Sequence, residues 1–104
     1  MNYYEDKMDK KDIMGFIRSK KNLLYNRYGV KSIGLFGSYI NGHYDKNSDI
    51  DIVIEFHKDQ KNLHNFLAVK RYLENNLNRE VDIGIESNLK PSIKEKVKNQ
   101  IIYV

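Results

Sequence analysis

Residues 37–54 read GSYINGHYDKNSDIDIVI. This stretch places a glycine and a hydroxyl side chain, Gly37 and Ser38, ten residues before the acidic pair Asp49 and Asp51. Side chains two positions apart on a strand project from the same side of it. A glycine turn that opens a helix is suited to binding phosphate, and paired carboxylates are suited to hard divalent cations. The stretch therefore predicts phosphoryl or nucleotidyl transfer.

The rest of the chain alternates between helical and strand periodicity. The apolar spacing predicts a helix over 12–28 that stops at Gly29, a helix over 62–77, and a helix that begins at Pro91. Strands are predicted over 31–36, 49–56, 80–85 and 101–104, with a short helical turn from Ser38 to about Gly42. This order predicts an α+β protein in which a small mixed sheet carries helices packed on one side.

The strand over 49–56 alternates cleanly between its two faces. Ile50, Ile52, Ile54 and Phe56 face one way, and Asp49, Asp51, Val53 and Glu55 face the other. Two like charges on one face of a strand are costly unless a cation neutralises them. We expect Mg²⁺ to do so, because it takes carboxylates together with phosphate oxygens and water.

A third carboxylate, Asp82, lies in the middle of the strand over 80–85. If this strand pairs with the strand over 49–56, three carboxylates share one open face and can hold two metal ions. We expect Asp49 and Asp51 to hold the metal that bridges a nucleoside triphosphate, and Asp82 to help bind the second metal and deprotonate the acceptor hydroxyl. A register shift of two residues would substitute Glu80 or Glu86 for Asp82.

The turn at Gly37 and Ser38 completes the predicted site. Glycine leaves room for a phosphate to approach, the first N–H groups of the following helix point outward, and the serine hydroxyl donates one more hydrogen bond. We expect these two residues to bind the nucleotide. A lone Gly-Ser or a lone Asp-x-Asp is usually structural, so the prediction depends on their occurring together.

Length and composition restrict the alternatives. With 104 residues and 12.3 kDa, a single domain over 1–104 is expected, in which residues 1–10 are flexible. No apolar stretch reaches the roughly 20 residues of a membrane span, and the absence of cysteine fits a cytoplasmic protein. The net charge of +4 comes with scattered lysines, so direct nucleic-acid binding is not expected. Three histidines show no zinc-site spacing, and we interpret them as surface residues.

These motifs resemble the minimal nucleotidyltransferases of the DNA polymerase β-like superfamily. The resemblance rests on Gly37-Ser38, ten residues, Asp49-x-Asp51, and continues through residues 80–83, 89–91 and 102–104. It implies a nucleotidyltransferase fold, ATP as substrate, Mg²⁺, and the role of an antitoxin that transfers AMP to a tyrosine of a partner HEPN ribonuclease toxin. One departure is Asn41, where relatives often carry arginine.

Two other functions stay open at this point. A binding protein that silences a toxin by occlusion would keep the nucleotide site as a relic, and Asn41 is the feature that favours it. Transfer to a small molecule such as an aminoglycoside would use the same chemistry on another acceptor. The short chain favours a protein acceptor, because enzymes that act on small molecules or on tRNA ends use extra domains to hold them.

Overall fold

The structure is a computed structural model that describes residues 10–36 and 49–104. Four predictions lie outside the described residues: the flexible start of the chain, the phosphate-binding role of Gly37 and Ser38, the short helix that ends at Gly42, and the departure at Asn41. The elements along the described residues are α1 (Lys10–Ser19), α2 (Lys21–Tyr28), β1 (Val30–Phe36), β2 (Ile50–Phe56), α3 (Leu63–Leu77), β3 (Val81–Ile85), α4 (Pro91–Lys98) and β4 (Ile102–Tyr103). Short 3₁₀ turns, not predicted from the sequence, occupy Lys58–Gln60 and Glu86–Asn88.

The four strands form one mixed sheet in the order β3-β2-β1-β4. β1 pairs antiparallel with both β2 and β4, and β2 pairs in parallel with β3. The parallel pair requires a crossover, which α3 supplies. The predicted α+β class with a small mixed sheet is therefore confirmed.

One face of the sheet carries the hydrophobic core. The core side chains of β1, β2 and β3 alternate with those of the other face, and α1, α2 and α3 pack on them through Ile13, Ile17, Leu24, Val69, Leu73 and Leu77. The predicted division of β2 is confirmed, since Ile50, Ile52, Ile54 and Phe56 all belong to this core. Burial of these branched aliphatic side chains supplies most of the driving force for folding.

The helix predicted over 12–28 is two helices. It breaks after Ser19, whose Oγ donates a 2.6 Å hydrogen bond to the carbonyl of Phe16, while the N–H of Lys20 donates to the carbonyl of Ile17 at 3.0 Å. Both bonds span three residues, so the α-helical ladder ends there. The sequence pattern did not reveal the break because Ile17 and Leu24 are seven residues apart, which is also two turns of an unbroken helix.

The predicted helix end at Gly29 is confirmed. Gly29 has a φ of 77°, in the left-handed region that favours glycine, and its N–H closes the end of α2 on the carbonyls of Leu24 and Tyr25. At the start of α3, the side chain of Asn62 caps the helix by accepting from the N–H of Asn65 at 2.8 Å.

The face of the sheet opposite the core, which we call the open face, is partly covered by the C-terminal part of the chain. A Cβ built on Gly34 would lie 2.5 Å from Cγ2 of Ile101, and one built on Gly84 would lie 3.6 Å from Cδ2 of Leu89. Val53, between these two glycines in the sheet register, is fully buried without belonging to the main core. Ile101, the first residue of the predicted strand over 101–104, lies after α4 and directly before β4.

Candidate active site

Asp51 and Asp82 are brought side by side by the parallel pairing of β2 with β3. They are direct partners in the register, so their side chains leave the same face of the sheet from strands about 4.8 Å apart. Phe36, the last residue of β1, pairs with Asp51 from the other side. The row Phe36, Asp51, Asp82 therefore crosses the sheet where β1 ends and where β2 and β3 begin.

Local hydrogen bonds hold β2 and β3 in the register that places Asp51 opposite Asp82. The N–H of Ile50 donates to the carbonyl of Glu80 at 3.0 Å, and the N–H of Val81 donates to Oε2 of Glu74 on α3 at 2.9 Å. The first bond sets the β2 register against β3, and the second ties the start of β3 to the helix behind it. The alternatives Glu80 and Glu86 are not needed, because Asp82 is the carboxylate opposite Asp51.

Asp49 lies just before β2 and is exposed, Asp51 is half-buried, and Asp82 is exposed. Within residues 10–36 and 49–104, no three His, Cys, Asp or Glu side chains lie close enough together to hold a metal ion among them. The donor set nevertheless fits Mg²⁺, which proteins commonly bind through one or two carboxylates while substrate phosphates and water complete the octahedron. The metal-binding and catalytic roles of the three aspartates stay predictions.

Glu55 shares the open face with Asp51 but has a structural role. Its Oε1 accepts from the N–H of Ser87 at 2.8 Å and its Oε2 from the N–H of Phe56 at 3.1 Å. Burial raises the pKa of this carboxyl, but the hydrogen bonds from Ser87 and Phe56 and the charge of Lys61 outweigh it, so the pKa lies below its ordinary value. Glu55 thus anchors the turn that follows β3.

A second contact, which the sequence did not predict, crosses the open face. The hydroxyl of Tyr103 on β4 donates a 2.8 Å hydrogen bond to Oε1 of Glu86, the residue directly after β3. β3 and β4 are the two edge strands, so this contact joins opposite edges of the sheet. Burial, the hydrogen bond to Glu86 and the charge of Glu86 raise the pKa of Tyr103 to about 12.

This combination is typical of a nucleotidyltransferase: a mixed sheet, helices on its core face and opposed aspartates on its open face. The chain belongs to the nucleotidyltransferase domain family, whose model matches residues 17–104. The prediction of a nucleotidyltransferase is thereby confirmed, and so is the resemblance to the minimal members of the group.

Relatives and solved structures agree with this assignment. The protein adenylyltransferase MntA of Thermococcus cleftensis is 36% identical over 93 residues, which cover 89% of this chain and 93% of that protein. A solved structure described as a minimal nucleotidyltransferase superposes with a TM-score of 0.79 at 28% identity, covering 91% of this chain and 95% of that one. A crystal structure of a toxin-antitoxin with AMP-PNP shares the fold, with a TM-score of 0.66 at 24% identity over 92% of this chain and 72% of that one.

None of the described helices is long and apolar enough to cross a bilayer.

Proposed function

We propose that the chain is an antitoxin that transfers AMP from ATP to a tyrosine hydroxyl of a partner HEPN ribonuclease toxin. The observation that carries the proposal is the register pairing of Asp51 with Asp82 on neighbouring strands of a nucleotidyltransferase sheet. A protein acceptor is supported by the name of the relative at 36% identity, a protein adenylyltransferase. A toxin as the acceptor is supported by the toxin-antitoxin structures that share the fold.

Mg²⁺ would be held by Asp49, Asp51 and Asp82, because aspartate oxygens are the hard ligands that this ion prefers. We propose that two ions bind. When bound, Mg²⁺ neutralises charge on the phosphate oxygens and orients them for in-line displacement. Gly37 and Ser38, directly after the end of β1, would bind the outer phosphates through backbone N–H groups and the serine hydroxyl.

We assign to Asp82 the role of the general base that deprotonates the acceptor hydroxyl. It is exposed on the open face, so an incoming tyrosine can reach its carboxylate. The tyrosine oxygen forms a bond to the α-phosphorus while its proton passes to Asp82. The bond from the α-phosphorus to the bridging oxygen of the β-phosphate breaks, and pyrophosphate leaves.

The test is transfer of labelled AMP. The purified chain is incubated with ATP labelled at the α-phosphate, MgCl₂ and the HEPN-family protein of the same genome, and label on that protein is located by mass spectrometry. We expect a labelled tyrosine with the wild type and loss of at least about 100-fold in rate with Asp51→Asn or Asp82→Asn, the scale of a lost positioned acid-base group.

Asp59→Asn is the matched control, because Asp59 is an exposed aspartate on the 3₁₀ turn after β2 and outside the proposed site. It should label the acceptor at the wild-type rate. Absence of label with folded wild-type protein would refute the proposed transfer. Protection of cells from the toxin by the Asp51→Asn, Asp82→Asn double variant would instead favour silencing by occlusion.

A further inference from the structure

We propose that Tyr103 is the platform on which the adenine ring of the nucleotide stacks, in a cavity between α4 and β4. This inference rests on the proposed function, because it assigns a subsite for the same nucleotide. The cavity has a volume of about 550 Å³, within the range of small-molecule sites. Its lining includes the ring of Tyr103, the apolar Ile101 and Pro91, the lysines Lys94 and Lys98, and the glutamates Glu86 and Glu95.

The ring of Tyr103 is held in place yet remains accessible. Its hydroxyl is tied to Glu86, and its Cδ1 lies 3.3 Å from where a Cβ on Gly34 would stand. Even so, 49% of Tyr103 is exposed. Because the ring is held at its hydroxyl and beside Gly34, the side chain loses little further conformational entropy when a planar ligand stacks on its exposed face.

The sheet register puts this ring next to the proposed phosphate site. Tyr103 pairs with Gly34, Gly34 pairs with Val53, and Val53 is two residues from Asp51 on the same face. Two residues along a strand span about 6.7 Å, and the hydroxyl of Tyr103 meets Glu86, four residues past Asp82, so the ring lies about 7 to 13 Å along the strands from the acidic row. This separation is comparable to the length of a nucleoside, so adenine can reach Tyr103 while its phosphates lie by Asp51.

The chain enters β4 from the end of the sheet that carries the acidic row. Ile102 pairs with Leu35, the neighbour of Phe36, and Phe36 pairs with Asp51 at that end. The C-terminal end of α4 therefore lies toward the acidic row. Lys94 and Lys98 bring two positive charges to the cavity wall, and Glu86 and Glu95 bring two negative charges. The wall therefore carries no net charge, which suits the uncharged adenine ring rather than the phosphates.

Affinity for two ligands tests the subsite. The full chain is titrated calorimetrically with AMP-PNP and with inorganic tripolyphosphate, each with MgCl₂, as wild type, Tyr103→Leu and Tyr103→Phe. Loss of base stacking on an aromatic side chain should raise the Kd of AMP-PNP for Tyr103→Leu between about 5-fold and 100-fold. The Kd of tripolyphosphate should stay within about twofold, because that ligand has no ring to stack. Tyr103→Phe keeps the ring and should stay within about threefold of wild type for both ligands.

Tyr25→Leu is the control, since Tyr25 is 51% exposed on α2 and lines no part of the cavity. An unchanged Kd of AMP-PNP for Tyr103→Leu would overturn the subsite. Equal weakening of both ligands would also overturn it, because Tyr103 would then act through the fold. If wild type binds neither ligand, the proposed nucleotide site itself fails, and the subsite with it.

Discussion

Gly34→Ala and Gly84→Ala form a matched pair on the open face, and the structure predicts opposite results for them. Both glycines are strand residues of that face, two positions apart in the row that runs from Tyr103 through Val53. A Cβ on Gly34 would lie 2.5 Å from Cγ2 of Ile101 and 3.1 Å from the carbonyl oxygen of Ile102. On Gly84 the nearest atom, Cδ2 of Leu89, is 3.6 Å away, an ordinary van der Waals contact.

The magnitudes follow from these distances. Overpacking at Gly34 costs about 1–3 kcal/mol, and the lower entropy of the unfolded alanine chain returns about 0.4–1 kcal/mol. At the middle of these ranges the free energy of unfolding should fall by about 1–2 kcal/mol, which lowers the Tm by about 5–15 °C for a domain of this size. Gly84→Ala avoids the overpacking, so only the entropy gain remains and the Tm should stay equal or rise by a few degrees.

Thermal unfolding followed by circular dichroism measures both variants under one set of conditions. Equal destabilisation by the two substitutions would refute the packing of the C-terminal segment on Gly34. A wild-type Tm for Gly34→Ala would do the same, since the segment would then not lie against that glycine.

Three further predictions concern the hydrogen bonds around the site. Asn62→Ala removes the cap of α3 and should cost about 1 kcal/mol in urea unfolding, whereas Asn75→Ala, exposed inside the same helix, should cost nothing; equal costs would contradict the capping role. The pKa of Glu55 lies below its ordinary value of 4.5, so its stabilisation is present above that pH and is lost as pH falls through the folded pKa. Glu55→Gln should therefore flatten the acid limb of the stability curve, and an unchanged limb would count against the anchoring of the turn. The pKa of Tyr103 is raised from 10.0 to about 12, so its stabilisation is present below pH 10 and is lost as pH rises through 12. Glu86→Gln should lower this pKa in alkaline absorbance titrations referenced to Tyr103→Phe, with burial keeping it above 10, and no shift would contradict the contact across the sheet.

Short-range patterns predicted most of the elements. The alternation of β2 gave its buried and open faces correctly, and the 3.6-residue period placed α3 to within one residue of its start. The break between α1 and α2 was missed because Ser19 ends the first helix by a side-chain hydrogen bond, which leaves the apolar spacing intact.

The site was predictable where it depends on one strand and its neighbour. Asp51 and Asp82 each follow from strand periodicity, and their pairing required only that β2 and β3 be adjacent. The contact between Glu86 and Tyr103 depends on the order of all four strands and on glycine in the row between them. No local sequence pattern carries that information, so the cavity at α4 was not predicted.

The ligand-induced shift in Tm tests most directly whether the opposed aspartates form a nucleotide and metal site. A nucleotide analogue with Mg²⁺ at about one hundred times its Kd stabilises a protein by about 2.7 kcal/mol. Thermal unfolding with AMP-PNP should therefore show a Mg²⁺-dependent rise in Tm for wild type and Asp59→Asn, and little or none for Asp82→Asn. A Mg²⁺-dependent rise of the same size in Asp82→Asn would contradict the assignment of the site to the paired strands.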